Sequence, residues 1–90
     1  MNRILVIINL FEGAVEKIKA NPDLAKKEME FVKQWQEEEI LENFFITVSK
    51  TGAVLIFKNT DESKVKSLIE ILPYFPFMAK IEYYNTDKHF

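Results

Sequence analysis

The segment that most constrains the fold of this chain is residues 72–78, which read Leu-Pro-Tyr-Phe-Pro-Phe-Met. Proline has no amide hydrogen and its ring clashes with a preceding helical turn, so Pro73 and Pro76 exclude a helix here. The residues around them are aromatic, which is unusual for a solvated loop. We therefore expect this segment, termed the proline connector, to be covered by a partner surface or to form the wall of a pocket.

The apolar content is large for the size of the chain. The 90 residues predict a single domain over 1–90, yet 48% are hydrophobic and eight are phenylalanine. A chain of this length buries only about 60–65% of its unfolded surface. The surplus apolar side chains indicate an oligomer interface or a ligand cavity.

Composition also disfavours several classes of function. The chain has no cysteine, which excludes disulfides and thiolate chemistry and is typical of a cytoplasmic protein. A net charge of −2 does not indicate the positively charged surface that nucleic acid binding needs. The longest apolar run, residues 4–8, is far shorter than the roughly 20 residues of a membrane span. His89 is the only histidine, so we expect no metal site. The chain has only two glycines and no phosphate-binding loop, which disfavours nucleotide binding, and we expect no cofactor.

The hydrophobic periodicity predicts an α+β domain. Strands are expected at 3–11, 44–49, 53–58 and 79–84, a short helical turn at 14–20, a long helix from Asn21 to about Leu41, and a second helix capped at 60–62 and ended by Pro73. Residues 85–90 read as a tail. This order is βαββαβ, the ferredoxin-like unit with an antiparallel sheet.

This topology leaves one face of the sheet uncovered. Right-handed crossovers place the first and third strands at the centre and both helices on the same face. The other face carries apolar side chains whichever register the strands adopt, and it would aggregate if left bare. We therefore expect a homodimer or a higher even oligomer.

The element order and the proline connector together resemble the muconolactone isomerase-like family of dimeric α/β-barrel proteins. That family has a similar Leu-Pro-x-Phe-Pro-aromatic-Met element before its last strand, and the likeness extends over about 25–52, 57–62 and the second helix. The resemblance implies sheets paired into a barrel, dimers assembled further into rings, and a small ligand held between helix and sheet. It predicts a small-molecule-binding protein with an apolar or aromatic ligand.

Departures from the family pattern argue against lactone isomerisation itself. The family's enzymes carry charged residues in the first helix and a Trp, Arg and His cluster on the second strand. The corresponding residues here, 30–32 and 44–46, are largely apolar. Moving a proton between carbons needs a positioned acid or base, which Phe and Val cannot supply.

Glu28 is the candidate catalytic residue. On the helical wheel Glu28 and Glu39 fall inside the apolar arc, on either side of Trp35. A carboxylate beside an indole in a dry cleft would have a raised pKa and could act as a general acid or base. The alternative is that both side chains flank the helix–sheet contact and turn outward.

Two further groups could line a ligand pocket. Asn9 and Thr47, with Ser49 and Lys58, would form a polar cluster if they share the open face of the sheet. Phe31, Trp35, Phe75 and Phe77 could surround an aromatic or lipid-like ligand, or simply fill a core or a subunit contact.

The sequence leaves two other functions possible. One is a cofactor-independent monooxygenase of the antibiotic-biosynthesis type. Some such enzymes use an Asn, Trp and His set; this chain has Asn9, Trp35 and His89, but their spacing matches no motif. The other is a purely structural oligomerisation module.

Overall fold

The computed structural model describes residues 2–90, and that part of the chain contains four strands and three α-helices. The elements are β1 (Asn2–Leu10), α1 (Ala14–Lys19), α2 (Pro22–Glu37), β2 (Leu41–Ile46), β3 (Gly52–Phe57), α3 (Glu62–Glu70) and β4 (Met78–Asp87).

The strands form one antiparallel sheet in the order β2-β3-β1-β4. β1 and β3 are central, as the crossover argument predicts. The predicted α+β, ferredoxin-like fold is confirmed, with the short helix α1 inserted between β1 and α2.

The hydrophobic core lies between one face of the sheet and helices α2 and α3. On the sheet, Ile4 and Val6 of β1 pair with Phe57 and Leu55 of β3, and all four side chains are buried. The Trp35 ring of α2 lies 5.6 Å from the ring of Phe57. Burial of these side chains, each worth about 1.5–3 kcal/mol, fixes both helices on this side of the sheet.

The opposite side, termed the open face, is not covered by any helix of residues 2–90. Leu5 pairs with Ile56 and Ile7 with Val54 across the two central strands, and all four side chains are only partly buried. Phe45 on β2 is 54% exposed. The open face is therefore an apolar surface that this chain does not cover itself.

The end of α2 and the start of β2 differ from the sequence prediction. α2 ends at Glu37 rather than near Leu41, because Glu39 takes a positive φ of 59° and turns the chain. Leu41 is buried at the start of β2, three residues before the predicted strand. Residues 47–51 form the turn into β3, so Thr47 and Ser49 are turn residues and do not alternate along a strand.

The proline connector contains a short helical turn, so the expectation of no helix is wrong at three residues. Phe75–Phe77 form one turn of 3₁₀-helix with Pro76 at its beginning. Proline is tolerated there because the first amide groups of a helix have no partner within it. β4 then continues to Asp87, which places 85–87 in the strand rather than in a tail.

Replacing Gly52 with alanine should destabilise the fold. Gly52 lies opposite Asn9 on β1, and a Cβ added there would come 2.6 Å from the carbonyl oxygen of Ile8. Because backbone must move to relieve this contact, Gly52→Ala should lower the free energy of unfolding by about 1–3 kcal/mol in urea denaturation. Thr51→Ala, at the exposed neighbouring residue, is the control and should change it by less than about 0.5 kcal/mol. Equal stability of both variants would contradict the close approach of these strands.

Candidate functional site

A cleft of ≈ 110 Å³ lies between α2, the sheet and the proline connector. The sheet supplies an apolar floor that includes Ile8, Phe44, Ala53 and Leu55. Met29 and Val32 of α2 form one wall, and Leu72, Tyr74 and Met78 of the connector region form another. The cleft is thus built by three segments that are far apart in the sequence.

Glu28 is the acidic residue of this cleft. It shares the buried stripe of α2 with Val32 and Trp35, and only 8% of its surface is exposed. Its Oε1 accepts a hydrogen bond of 3.0 Å from the backbone N–H of Tyr74. Within residues 2–90 no lysine or arginine forms an ion pair with it.

Burial raises the pKa of Glu28 to about 7, and the Tyr74 N–H opposes part of this shift because it stabilises the charged form. A carboxyl group with such a pKa is present in both protonation states near neutral pH. It can therefore donate a proton or accept one, which is the requirement for a general acid or base.

The connector is arranged to supply the N–H group that Glu28 binds. Its turns are closed by hydrogen bonds from Phe75 N–H to the Leu72 carbonyl and from Phe77 N–H to the Tyr74 carbonyl, each 2.9 Å. These bonds leave the Tyr74 N–H free to point at α2. A further bond of 2.9 Å, from Phe11 N–H to the Phe77 carbonyl, fastens the connector to the end of β1.

The mouth of the cleft opens beside edge strand β2. Met29 and Ile46 are 41% and 51% exposed while still contributing to the cleft wall. Lys50, in the turn between β2 and β3, is the cation among the lining residues. Apart from Glu28 the interior is thus apolar, and the entrance carries one positive charge.

The aromatic residues predicted to line a pocket lie elsewhere. Trp35 is 2% exposed and packs in the core between Phe31 and Phe57, with ring centres 6.4 and 5.6 Å away. Phe75 is 37% exposed on the 3₁₀ turn, and neither Phe75 nor Phe77 is part of the cleft wall. Phe31 is half-buried against the core.

The predicted polar pocket residues Asn9 and Thr47 do come together, but away from Glu28. Both flank Gly52, where a Cβ would lie 3.3 Å from Asn9 Oδ1 and 3.6 Å from Thr47 Cγ2. Asn9 belongs to the open face, on the opposite side of the sheet from α2. Lys58 follows the far end of β3, and Glu39 is exposed beyond the end of α2.

Sequence reasoning missed Tyr74, Phe44 and Lys50 as residues of the cleft. The signal for Tyr74 was present, since the connector was expected to form a pocket wall. Phe75 and Phe77 were chosen from it because nothing in the sequence shows which way the 3₁₀ turn points each ring. The position of Lys50 depends on a left-handed residue in a turn, which the sequence does not specify.

A second depression, of ≈ 210 Å³, lies on the open face near Arg3, Glu42 and Lys88. It is larger but shallower, and its polar groups are already paired. Arg3 donates two hydrogen bonds to Glu42, of 2.7 and 3.1 Å, which hold the pKa of Glu42 below its usual value. The cleft beside Glu28 is the better candidate site, because no lysine or arginine of residues 2–90 forms an ion pair with its acid.

Within residues 2–90 no helix is long and apolar enough to cross a membrane. No three His, Cys, Asp or Glu side chains of these residues are grouped to hold a metal ion.

Comparison with known proteins supports the fold. No protein-family model and no curated protein matches the chain. Among solved structures it is similar to 5-chloro-2-hydroxyhydroquinone dehydrochlorinase from Burkholderia phenoliruptrix, in complex with 2,5-dihydroxybenzoquinone. The TM-score is 0.75 at 16% identity, and the match covers 97% of this chain and 94% of that chain. At this identity the similarity is one of fold.

The raised pKa of Glu28 predicts a pH-dependent stability. Because the folded state favours the protonated acid, its contribution is complete below the unfolded pKa of 4.5 and is lost as pH rises through about 7. Between pH 5 and pH 8 the wild type should lose up to about 3 kcal/mol relative to Glu28→Gln, at about 1.36 kcal/mol per pKa unit. Urea denaturation at both pH values measures this difference.

The matched control for this experiment is Glu30→Gln, which removes an exposed carboxylate from the same helix. Its stability should change with pH in parallel with the wild type. If the free energy of unfolding of Glu28→Gln also changes in parallel with that of the wild type from pH 5 to pH 8, then ionising Glu28 does not destabilise the folded state.

Proposed function

We propose that this protein binds a small, mostly apolar molecule in the cleft beneath α2, with Glu28 as the acid or base that contacts it. The observation that carries the proposal is a buried carboxyl group that faces an apolar cavity and has no cationic partner within residues 2–90. Burying a carboxyl group without a cation beside it is costly, so such an arrangement is typical of functional sites.

The dimensions and chemistry of the cleft support a single-ring ligand. Its ≈ 110 Å³ is below the about 300–1,000 Å³ of pockets for drug-sized compounds. The deep polar contact is Glu28, which donates a hydrogen bond when protonated and accepts one when ionised. The ligand would therefore carry a carbonyl or hydroxyl group on an otherwise apolar ring. The dehydrochlorinase of similar fold is described with a ligand of this kind, 2,5-dihydroxybenzoquinone.

Any reaction in this cleft would begin with proton transfer at Glu28, since its carboxyl group can exchange a proton with the ligand near neutral pH. Family membership in the muconolactone isomerase-like group is part of the proposal, and lactone isomerisation is not. The set that suggested a monooxygenase is dispersed, with Asn9 on the open face, Trp35 in the core and His89 exposed near the C-terminus.

The proposal includes a homodimer formed through the open face. Leu5, Ile7, Val54 and Ile56 lie side by side there without a helix to cover them. A contiguous apolar sheet surface of this kind is unfavourable in water. A second copy packed sheet to sheet would cover it, and the arrangement would leave the cleft on the helix side of each subunit.

A titration with phenol tests ligand binding in the cleft. Phenol has one ring and one hydroxyl group, and it should shift the amide NMR signals of residues around Glu28, Tyr74 and Ala53. Ala53→Leu adds a larger side chain inside the cleft and should weaken phenol binding at least tenfold. The reason is that the added methyl groups occupy the ligand volume.

The control for cleft filling is Val54→Leu, which enlarges the neighbouring side chain on the opposite face of the sheet. Its phenol affinity should match that of the wild type. Changes in amide NMR signals that spread over the open face on adding phenol would contradict the cleft as the binding site. The same conclusion would follow if the changes persisted in Ala53→Leu.

Native mass spectrometry tests the dimer. The wild type should be an even oligomer, and Val54→Lys should dissociate it because each open face would then bring a lysine to the interface. Ser63→Lys, which adds the same charge at an exposed residue of α3, should leave the oligomer intact. A wild-type monomer at micromolar concentration would contradict the open face as a dimer interface.

A further inference from the structure

We infer that Lys50 makes the cleft selective for small organic anions, with the negative group of the ligand paired to Lys50 at the mouth and its ring inside. This inference deepens the proposed function and rests on it. It assigns Lys50 as a specificity-determining residue and narrows the ligand to a ring that carries a carboxylate or another acidic oxygen.

Lys50 lies in the turn beside the cleft and is one of its lining residues. Lys50 has a positive φ of 66° in the turn between β2 and β3, and its N–H donates a 2.9 Å hydrogen bond to the Thr47 carbonyl. A left-handed residue is uncommon outside glycine and asparagine, so the turn holds an unfavourable conformation at the residue that reaches the cleft wall.

In the described part of the chain Lys50 is a cation without an acidic partner. The ion pairs among residues 2–90 use Arg3, Lys66, Lys80 and Lys88, but not Lys50. Its ammonium group is therefore available to a ligand. Its flexible stem of four carbons can follow a small anion at the entrance.

The ionisable groups that line the cleft give it a positive charge only when Glu28 is protonated. They are Glu28, Lys50 and the Tyr74 phenol, whose pKa is raised by burial and by the nearby Glu28. When Glu28 is protonated, Lys50 is the single charge of the cleft. A ligand with a negative group would complete this arrangement, whereas a ligand with a positive group would be repelled.

The position of the charge at the mouth suits an anion with an apolar body. A carboxylate placed deep in the cleft would lose its hydration without a cation to replace it, which is costly. At the exposed entrance it would keep part of its hydration and gain the attraction of Lys50. The ring would meanwhile contact Phe44, Leu55 and Leu72 inside.

Benzoate and benzamide form a matched pair of probes, because they share one ring and differ in the charge of the substituent. At pH 6 and low salt the wild type should bind benzoate about three- to fivefold more tightly than benzamide, as an exposed ion pair allows. Isothermal titration calorimetry or NMR titration measures both dissociation constants. The preference should shrink when salt is added, since added ions screen an exposed pair.

Lys50→Met should abolish the preference for benzoate and leave the affinity for benzamide within twofold of the wild type. Lys50→Arg should restore the preference. Lys33→Met removes an exposed lysine of α2 that does not line the cleft, and it should behave like the wild type.

The outcomes distinguish a failure of the anion preference from a failure of ligand binding in the cleft. If benzamide binds in the cleft but benzoate binds no more tightly, or if Lys50→Met keeps the preference, the anion inference is overturned and the binding site remains. If neither probe binds while phenol does, the anion inference is also overturned. If no probe, phenol included, binds in the cleft, both the anion inference and the proposed function are contradicted.

Discussion

The contact between the Glu28 carboxylate and the Tyr74 N–H is the interaction on which the site depends. It joins residues 46 positions apart and ties helix α2 to the proline connector. The connector is held independently at its other end by the bond from Phe11 to Phe77. Because both walls of the cleft are fixed in this way, an apolar gap persists between them instead of collapsing. The same burial that makes the hydrogen bond valuable also raises the pKa of Glu28.

The two faces of the sheet have different roles. The helix side holds the core and, at the edge beside β2, the cleft. The open face presents Leu5, Ile7, Val54 and Ile56 to an expected second copy. Since side chains alternate along a strand, one register serves both purposes, and a slip by one residue would exchange the two sets. The close approach of Gly52 to Ile8 helps to hold that register.

The fold was predictable from the sequence to a greater extent than the site. Alternating and helical periodicities gave the element order and the central strands, because these patterns report local burial. The boundary between α2 and β2 was not predictable, since burial of Leu41 and the left-handed turn at Glu39 override a continuous helical pattern. Glu28 could be singled out because it is a carboxylate within an apolar helical arc. Tertiary packing alone brings Tyr74, Phe44 and Lys50 next to it. Trp35 and Phe31 instead pack in the core.

The most direct test is a measurement of the Glu28 side-chain pKa by NMR, following its carboxyl ¹³C signal between pH 3 and pH 9. We expect a titration midpoint near 7, with the amide signal of Tyr74 moving at the same pH because its N–H is bonded to that carboxylate. A midpoint near the ordinary value of 4.5 with no response at Tyr74 would contradict the buried acid, and with it the cleft as a functional site.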